Sequence, residues 1–221
     1  MSKLDFGVVL ERWPDLLYGV GFTLALSTAG IILSLLIGVA GVAMQRSRFR
    51  TLRFPVRGFV ELIRNTPFLV QIFFLFFALP LLGVRFSPTM TAVIALAING
   101  GAYSIEIIRG GVESIPRGQI EAGEALGLSP TQIFRDIIMV PALRAIYPAL
   151  TSQFILLTLT SSVCSSISAK ELTYFAQRIE SATFRSFEAY FTITGLYLLI
   201  SWFMMTALAA LGRRHFNYPS Q

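Results

Sequence analysis

Arg109-Gly110-Gly111-Val112-Glu113-Ser114-Ile115-Pro116-Arg117-Gly118-Gln119-Ile120-Glu121-Ala122-Gly123-Glu124-Ala125-Leu126-Gly127-Leu128-Ser129-Pro130-Thr131-Gln132-Ile133-Phe134-Arg135-Asp136-Ile137-Ile138-Met139-Val140-Pro141-Ala142-Leu143-Arg144 is too polar to sit in a membrane and too poor in Gly and Pro to be a linker. Apolar stretches lie on either side of it. After Pro116, residues 117–126 have room for about two and a half turns at ~3.6 residues per turn. Gly127 is placed to stop that helix as its C-terminal glycine. Ser129-Pro130-Thr131-Gln132 then restarts one, with Ser129 as N-cap, Pro130 at the first helical position and Gln132 completing a capping box. The spacing predicts two short helices joined by a sharp turn and tethered between apolar spans, which is the form of a docking surface.

Composition supplies the setting. The 221 residues are 54% hydrophobic and only 14% charged, with a mean hydropathy of +0.68. A soluble domain carries about a quarter of its residues as charges, so the chain is expected to be a polytopic, all-α membrane protein. The net charge of +6 does not point to nucleic acid, because the arginines lie between apolar runs rather than on one soluble face. Cys164 stands alone inside an apolar run, and His215 has no ligand-like neighbours, so neither a disulfide framework nor a metal site is expected. The first apolar run is too long for a cleavable signal peptide.

Residues 1–15 mix Lys3, Asp5, Glu11, Arg12 and Asp15 with apolar side chains and Trp13, as an interfacial N-terminal segment would. Residues 16–221 then read as one transmembrane domain. Its first span, 16–44, is free of charge and carries Gly19, Gly21, Gly30, Gly38 and Gly41 for close helix packing. The second is expected at 59–82, with Glu61 and Arg64 at its start and Pro67 freeing carbonyls that need other partners. The third is expected at 89–108 and the fourth, rich in hydroxyls, at 145–169. A polar loop over 170–188 precedes the fifth, 189–211.

Five spans place the termini on opposite sides. With the N-terminus outside, the inner side holds Arg46, Arg48, Arg50, Arg53, Arg57, Arg109, Arg117, Arg135, Arg144, Arg213 and Arg214; the outer side holds only Lys3, Arg12, Arg85, Lys170, Arg178 and Arg185. The excess of cations on the inner side predicts N-out, C-in, with residues 109–144 in the cytosol.

Glu121-Ala122-Gly123, three residues, Gly127, nine residues and Ile137 resemble the EAA loop of ABC-importer permeases. Gly123 stands where that pattern has Ala, and Val140-Pro141 places the proline one residue late. The resemblance extends over almost the whole chain through residues 18–24, residues 60–71, Asn99-Gly100-Gly101-Ala102-Tyr103 and Glu106-Ile107-Ile108-Arg109-Gly110-Gly111. These stretches are similar to the polar amino-acid permeases, the histidine/glutamine/arginine/opine branch. The resemblance implies a type I importer permease fold in the bacterial cytoplasmic membrane, with residues 109–144 as a coupling loop. It also implies separate ABC ATPase subunits that hold ATP and Mg, a second permease chain (identical or paralogous) and an extracytoplasmic substrate-binding protein. No cofactor is expected in this chain, which has no Gly-x-x-x-x-Gly-Lys phosphate loop and is not expected to be an enzyme.

Coupling to the ATPase is assigned by the resemblance to Glu121, Ala122, Gly123, Ala125, Leu126 and Gly127. Polar groups within spans are costly and therefore mark candidate path or packing positions. Thr66, Gln71, Asn99 and Tyr103, faced by Thr160, Ser161 and Ser162, are the candidate substrate path. A buried Arg64–Glu106 pair, with Glu61 nearby, is the candidate inner gate, or else a purely structural ion pair. Where many relatives read Lys then Asp or Asn, this chain has Leu159-Thr160, which leaves no mid-span acid for a cationic substrate. Neutral polar or acidic amino acids are expected, with opines or cationic or sulfur-containing amino acids as the alternative. A self-contained carrier or channel is disfavoured by the odd span count and the lack of an inverted repeat.

Overall fold

The computed structural model describes residues 4–216; Lys3 and the side chain of His215 lie outside that description. Among the described residues the structure is helical throughout. A single turn, α1 (Gly7–Leu10), leads into α2 (Trp13–Gln45), followed by α3 (Arg50–Arg64). Next come α4 (Phe68–Leu82), α5 (Pro88–Glu113), α6 (Arg117–Ala125) and α7 (Pro130–Ile167). Two helices close the chain, α8 (Leu172–Thr183) and α9 (Ser186–Phe216). Four helices are long and apolar enough to cross a membrane, or five if α3 and α4 count as one broken span.

The centre is the α2–α5 pair. Gly30 lies against Leu96, Gly38 against Ser104 and Gly41 against Ile105, while Gly100 and Gly101 of α5 accept Ser34 and Ile37 in return. Small residues bring the two backbones close enough for this interlock, as the sequence anticipated. Gly21 departs from that expectation and faces open space. Leu26, Ile72, Ala92, Leu96, Leu157 and Ile167 fill the middle of the bundle. At one end Val9 and Leu16 pack with α8 and α9, so the N-terminal segment is anchored to the bundle.

Three sequence expectations need correction. The second span is not one straight helix from 59: residues 59–64 complete α3, and the chain turns by 110° before α4. The cause is Pro67, which has no N–H and excludes the α conformation for the residue before it. The helix that holds the fourth span begins before 145. The helix restarted at Pro130 runs unbroken to Ile167, widened to a π-segment at Ile133–Met139 and tightened to 3₁₀ at Ser161–Ile167. Pro141 cannot donate to a carbonyl one turn back, and the π-segment directly before it absorbs that missing bond. Finally, residues 170–188 are no open loop. They contain α8, whose Leu172, Phe175, Ala176 and Ile179 are buried.

Candidate functional site

Three local constructions carry the candidate residues. The first is the α6–α7 elbow. Gly127 takes φ +74°, the left-handed conformation that costs a residue without Cβ nothing. Its N–H donates to the Glu124 carbonyl at 2.9 Å, and the Leu128 N–H donates to the Gly123 carbonyl at 3.1 Å. Together these bonds make a Schellman stop. Two residues later the capping box closes: the Ser129 N–H donates to Gln132 Oε1 at 2.9 Å, and Ser129 Oγ accepts from the Gln132 N–H.

Gly123 faces inward. A methyl group there would come within 2.5 Å of Ile137 Cδ1, so the departure from Ala lets α6 seat directly on the π-segment of α7. Glu121, Ala122, Glu124 and Ala125 point outward, and Leu126 at the tip is 80% exposed. The elbow is thus a fixed knob with a solvent-facing outer surface, mounted on the longest helix of the molecule.

The second construction lies at the α3–α4 bend. Thr66 Oγ1 donates to the Leu62 carbonyl at 2.9 Å. Gln71 Nε2 reaches back to the Ile63 carbonyl at 2.8 Å, the Thr66 carbonyl at 3.0 Å and Thr66 Oγ1 at 2.9 Å. Asn99 Nδ2 of α5 donates to Gln71 Oε1 at 3.0 Å. Three of the candidate path residues are therefore bonded to one another, and they satisfy the carbonyls that Pro67 frees.

The third construction is a cleft of about 870 Å³ at the α6 end, between the ends of α2 and α3, the last turns of α5 and the start of α6. Glu106 stands on its wall, held by Arg64 at 3.3 Å and by Arg109 at 2.8 Å; Arg109 also pairs with Glu113 at 2.6 Å. The Arg64 guanidinium lies 5.4 Å from the centre of the Tyr103 ring. The expected Arg64–Glu106 pair forms, but it is not buried: the side chains are 42% and 23% exposed. The open cleft keeps both charges in contact with water, which removes the desolvation cost of an enclosed pair. Glu61 lines the cleft and, among the described residues, joins no ion pair. Arg109 and Glu113 were missed as site residues, although their spacing of three and four from neighbouring charges on one helix carries that signal.

The remaining candidates lie elsewhere. Ser161 Oγ donates to the Thr158 carbonyl at 2.6 Å and Ser162 Oγ to the Leu159 carbonyl at 2.7 Å. With Thr160 they mark the passage of α7 from α-helix to 3₁₀ beside α4 and α5, outside the cleft lining. Only Tyr103 of the seven path candidates reaches the cleft.

At the opposite end, the fully buried Glu171 caps α8. It accepts from the Thr173 and Tyr174 N–H groups at 2.9 and 2.8 Å and from the Tyr197 hydroxyl of α9 at 2.6 Å. The next residue's N–H, Leu172, donates to Thr23 Oγ1 of α2 at 3.1 Å. Burial pushes the Glu171 carboxyl up to about 7, against the hydrogen bonds that pull it down.

Residues 30–216 match the family described as the binding-protein-dependent transport system inner membrane component. The chain belongs to this family. The nopaline transport system permease protein of Agrobacterium fabrum is 34% identical, over 97% of this chain and 92% of that protein. The glutamine transport system permease protein of Escherichia coli is 36% identical, over 96% of this chain and 98% of that protein. A crystal structure of an amino acid ABC transporter with histidines superposes with a TM-score of 0.91 at 31% identity, covering 96% of this chain and all of that one. The permease is thus the membrane subunit of an ABC importer of the polar amino-acid group, located in the bacterial inner membrane. As in the rest of the family, the ATPase is a separate subunit and substrate arrives on a binding protein.

Proposed function

We propose that the permease moves a polar amino acid inward by alternating access, and that ATP turnover in a partner reaches it through the α6 knob. Glu121, Ala122, Ala125, Leu126 and Gly127 form the part that seats in a groove of an ATPase subunit, where ATP and Mg are held, and Gly123 beneath them couples by holding α6 on α7. The carrying observation is the exposed outer face of α6, stopped by backbone bonds at Gly127 and Leu128 and seated through Gly123 on a helix that continues into the bundle. Closure of the ATPase dimer would displace the knob, and α7 would transmit that displacement as a rigid-body rotation. The domain covers residues 16–221 with five spans, N-out and C-in, the second being the broken α3–α4 pair.

Within the bundle, Arg64 and Glu106, with Glu61 beside them, form the inner gate at the cleft. The Thr66–Gln71–Asn99 chain and Tyr103 lie above it, with Thr160, Ser161 and Ser162 on the facing helix. A second permease chain, identical or paralogous, covers the exposed apolar side of α9, where Leu198, Leu199, Trp202 and Phe203 are uncovered. Neutral polar or acidic amino acids are the preferred substrates, since Leu159-Thr160 supplies no mid-span acid. An opine is the second reading, supported by the likeness to the nopaline permease over nearly the full length.

Cysteine cross-linking tests the docking. In the assembled importer, Ala122→Cys should form a nucleotide-sensitive cross-link to the ATPase subunit, whereas a cysteine at Leu198 should not. Absence of the Ala122 adduct, with the complex intact, would remove the knob from the ATPase interface.

A further inference from the structure

The turn between α2 and α3 concentrates charge: Arg46 and Arg57 line the cleft, while Arg48, Arg50 and Arg53 lie outside its lining. Arg46, Arg48, Arg50, Arg53 and Arg57 fall within one short stretch, and no acid occurs between Asp15 and Glu61. Among the described residues none of these five arginines joins an ion pair; Arg48 alone has a partner, the Phe49 ring at 4.9 Å. Phe49, Phe54 and Leu62, exposed at 52%, 75% and 64%, lie among them, while Val56 and Val60 turn inward. The helix therefore shows three surfaces: a buried apolar one, a cationic one and an exposed apolar flank. The 110° bend sets its direction. The bend leaves α3 at a steep angle to α4.

We infer that α3 and the turn before it form a seat for acidic phospholipid headgroups. Arg48, Arg50 and Arg53 meet the phosphates, and Phe49, Phe54 and Leu62 enter the acyl boundary. An amphipathic interfacial helix of this kind binds through buried apolar area together with attraction to anionic lipid. Each arginine near an anionic leaflet strengthens that attraction by about fivefold. A soluble ATPase fits the surface less well, because exposed phenylalanines beside the arginines would lie at the bilayer boundary rather than in an aqueous groove. The seat holds whichever solute the importer carries.

The assay uses the intact importer complex and native mass spectrometry, with phosphatidylglycerol or phosphatidylcholine added to the detergent. The wild type should retain phosphatidylglycerol preferentially, and added salt should weaken the retention. Replacing Arg48, Arg50 and Arg53 together by Gln should lower retention roughly tenfold or more. The corresponding Lys variant should keep it, as should Gln at both Arg213 and Arg214. Equal retention of the two lipids by the wild type would overturn the proposal. So would unchanged retention in the Gln variant, or loss of the ATPase subunit from that variant while its lipid stays bound.

Discussion

Two elbows in the molecule are built around a proline, and they are held in different ways. At Asn65-Thr66-Pro67 the chain turns by 110°, and the freed carbonyls are taken up by side chains: Thr66, Gln71 and, through Gln71, Asn99. At Gly127-Leu128-Ser129-Pro130 the turn is held by main-chain bonds to Glu124 and Gly123, a capping box and the apolar seating of Gly123 on Ile137. Side-chain amides can exchange one carbonyl for another as helices shift. A Schellman stop followed directly by a capped helix has no second arrangement of comparable satisfaction. The first elbow has the makings of a hinge beside the candidate gate, and the second those of a lever.

The heaviest blow to the hinge is Gln71→Leu. It removes the side-chain partner of the Thr66 carbonyl and of the Asn99 amide and leaves the Ile63 carbonyl only the Thr66 Oγ1 contact at 3.4 Å; these groups are half-buried, so about 1 kcal/mol is lost for each bond. A clearly lower apparent melting temperature in detergent, with Gln71→Asn less affected because it keeps the amide donor, is the expected outcome.

Glu171 lies outside both elbows and serves as a reference point for the packed end. Its carboxyl sits at about 7 in the folded chain against 4.5 as the ordinary value. The folded state therefore binds the extra proton between those limits, and the contribution to stability falls as pH rises through 7. The full range is about 3 kcal/mol. Melting temperatures from pH 5 to 8 should decline in the wild type more steeply than in Glu171→Gln, which carries no titrating group at that position.

Gly123→Ala tests how tightly the lever is seated. The added methyl meets the flexible end of Ile137, so a cost of about 1 kcal/mol is expected. Pairing it with Ile137→Val should recover part of the loss, and additivity of the two changes would show that they do not touch. Smallest of all is the Arg64–Glu106 pair. Both groups are water-accessible, and a double-mutant cycle on stability should give less than about 1 kcal/mol. A change in transport rate far beyond that figure would mark the pair as a gate rather than a brace.

Much of the second elbow was legible in the sequence, because stop and start signals are local: Gly127, Ser129, Pro130 and Gln132 act on bonds within a few residues of themselves. Pro67 was equally visible as a disruption, but its angle was not, since the direction taken depends on where Val56 and Val60 find apolar neighbours in α2 and α5. Glu106 could be paired with Arg64 from helix positions. That the pair is wet, and shared with Arg109, depends on the cleft, which three separate segments create. The helix over Leu172–Thr183 was hidden for a similar reason: its buried stripe is short and stands among charges that face away from the bundle. Ser161 and Ser162 drew attention as polar groups in an apolar span, and in the fold their hydroxyls serve carbonyls of their own helix.

The lever is tested most directly by the number of solute molecules imported per ATP hydrolysed, in proteoliposomes holding the assembled importer and its binding protein. Gly127→Trp forces a bulky side chain into the left-handed conformation at φ +74°. ATP hydrolysis should persist while import collapses, so that the ratio falls at least tenfold. An unchanged ratio, with hydrolysis still stimulated by the loaded binding protein, would contradict transmission through the α6–α7 elbow.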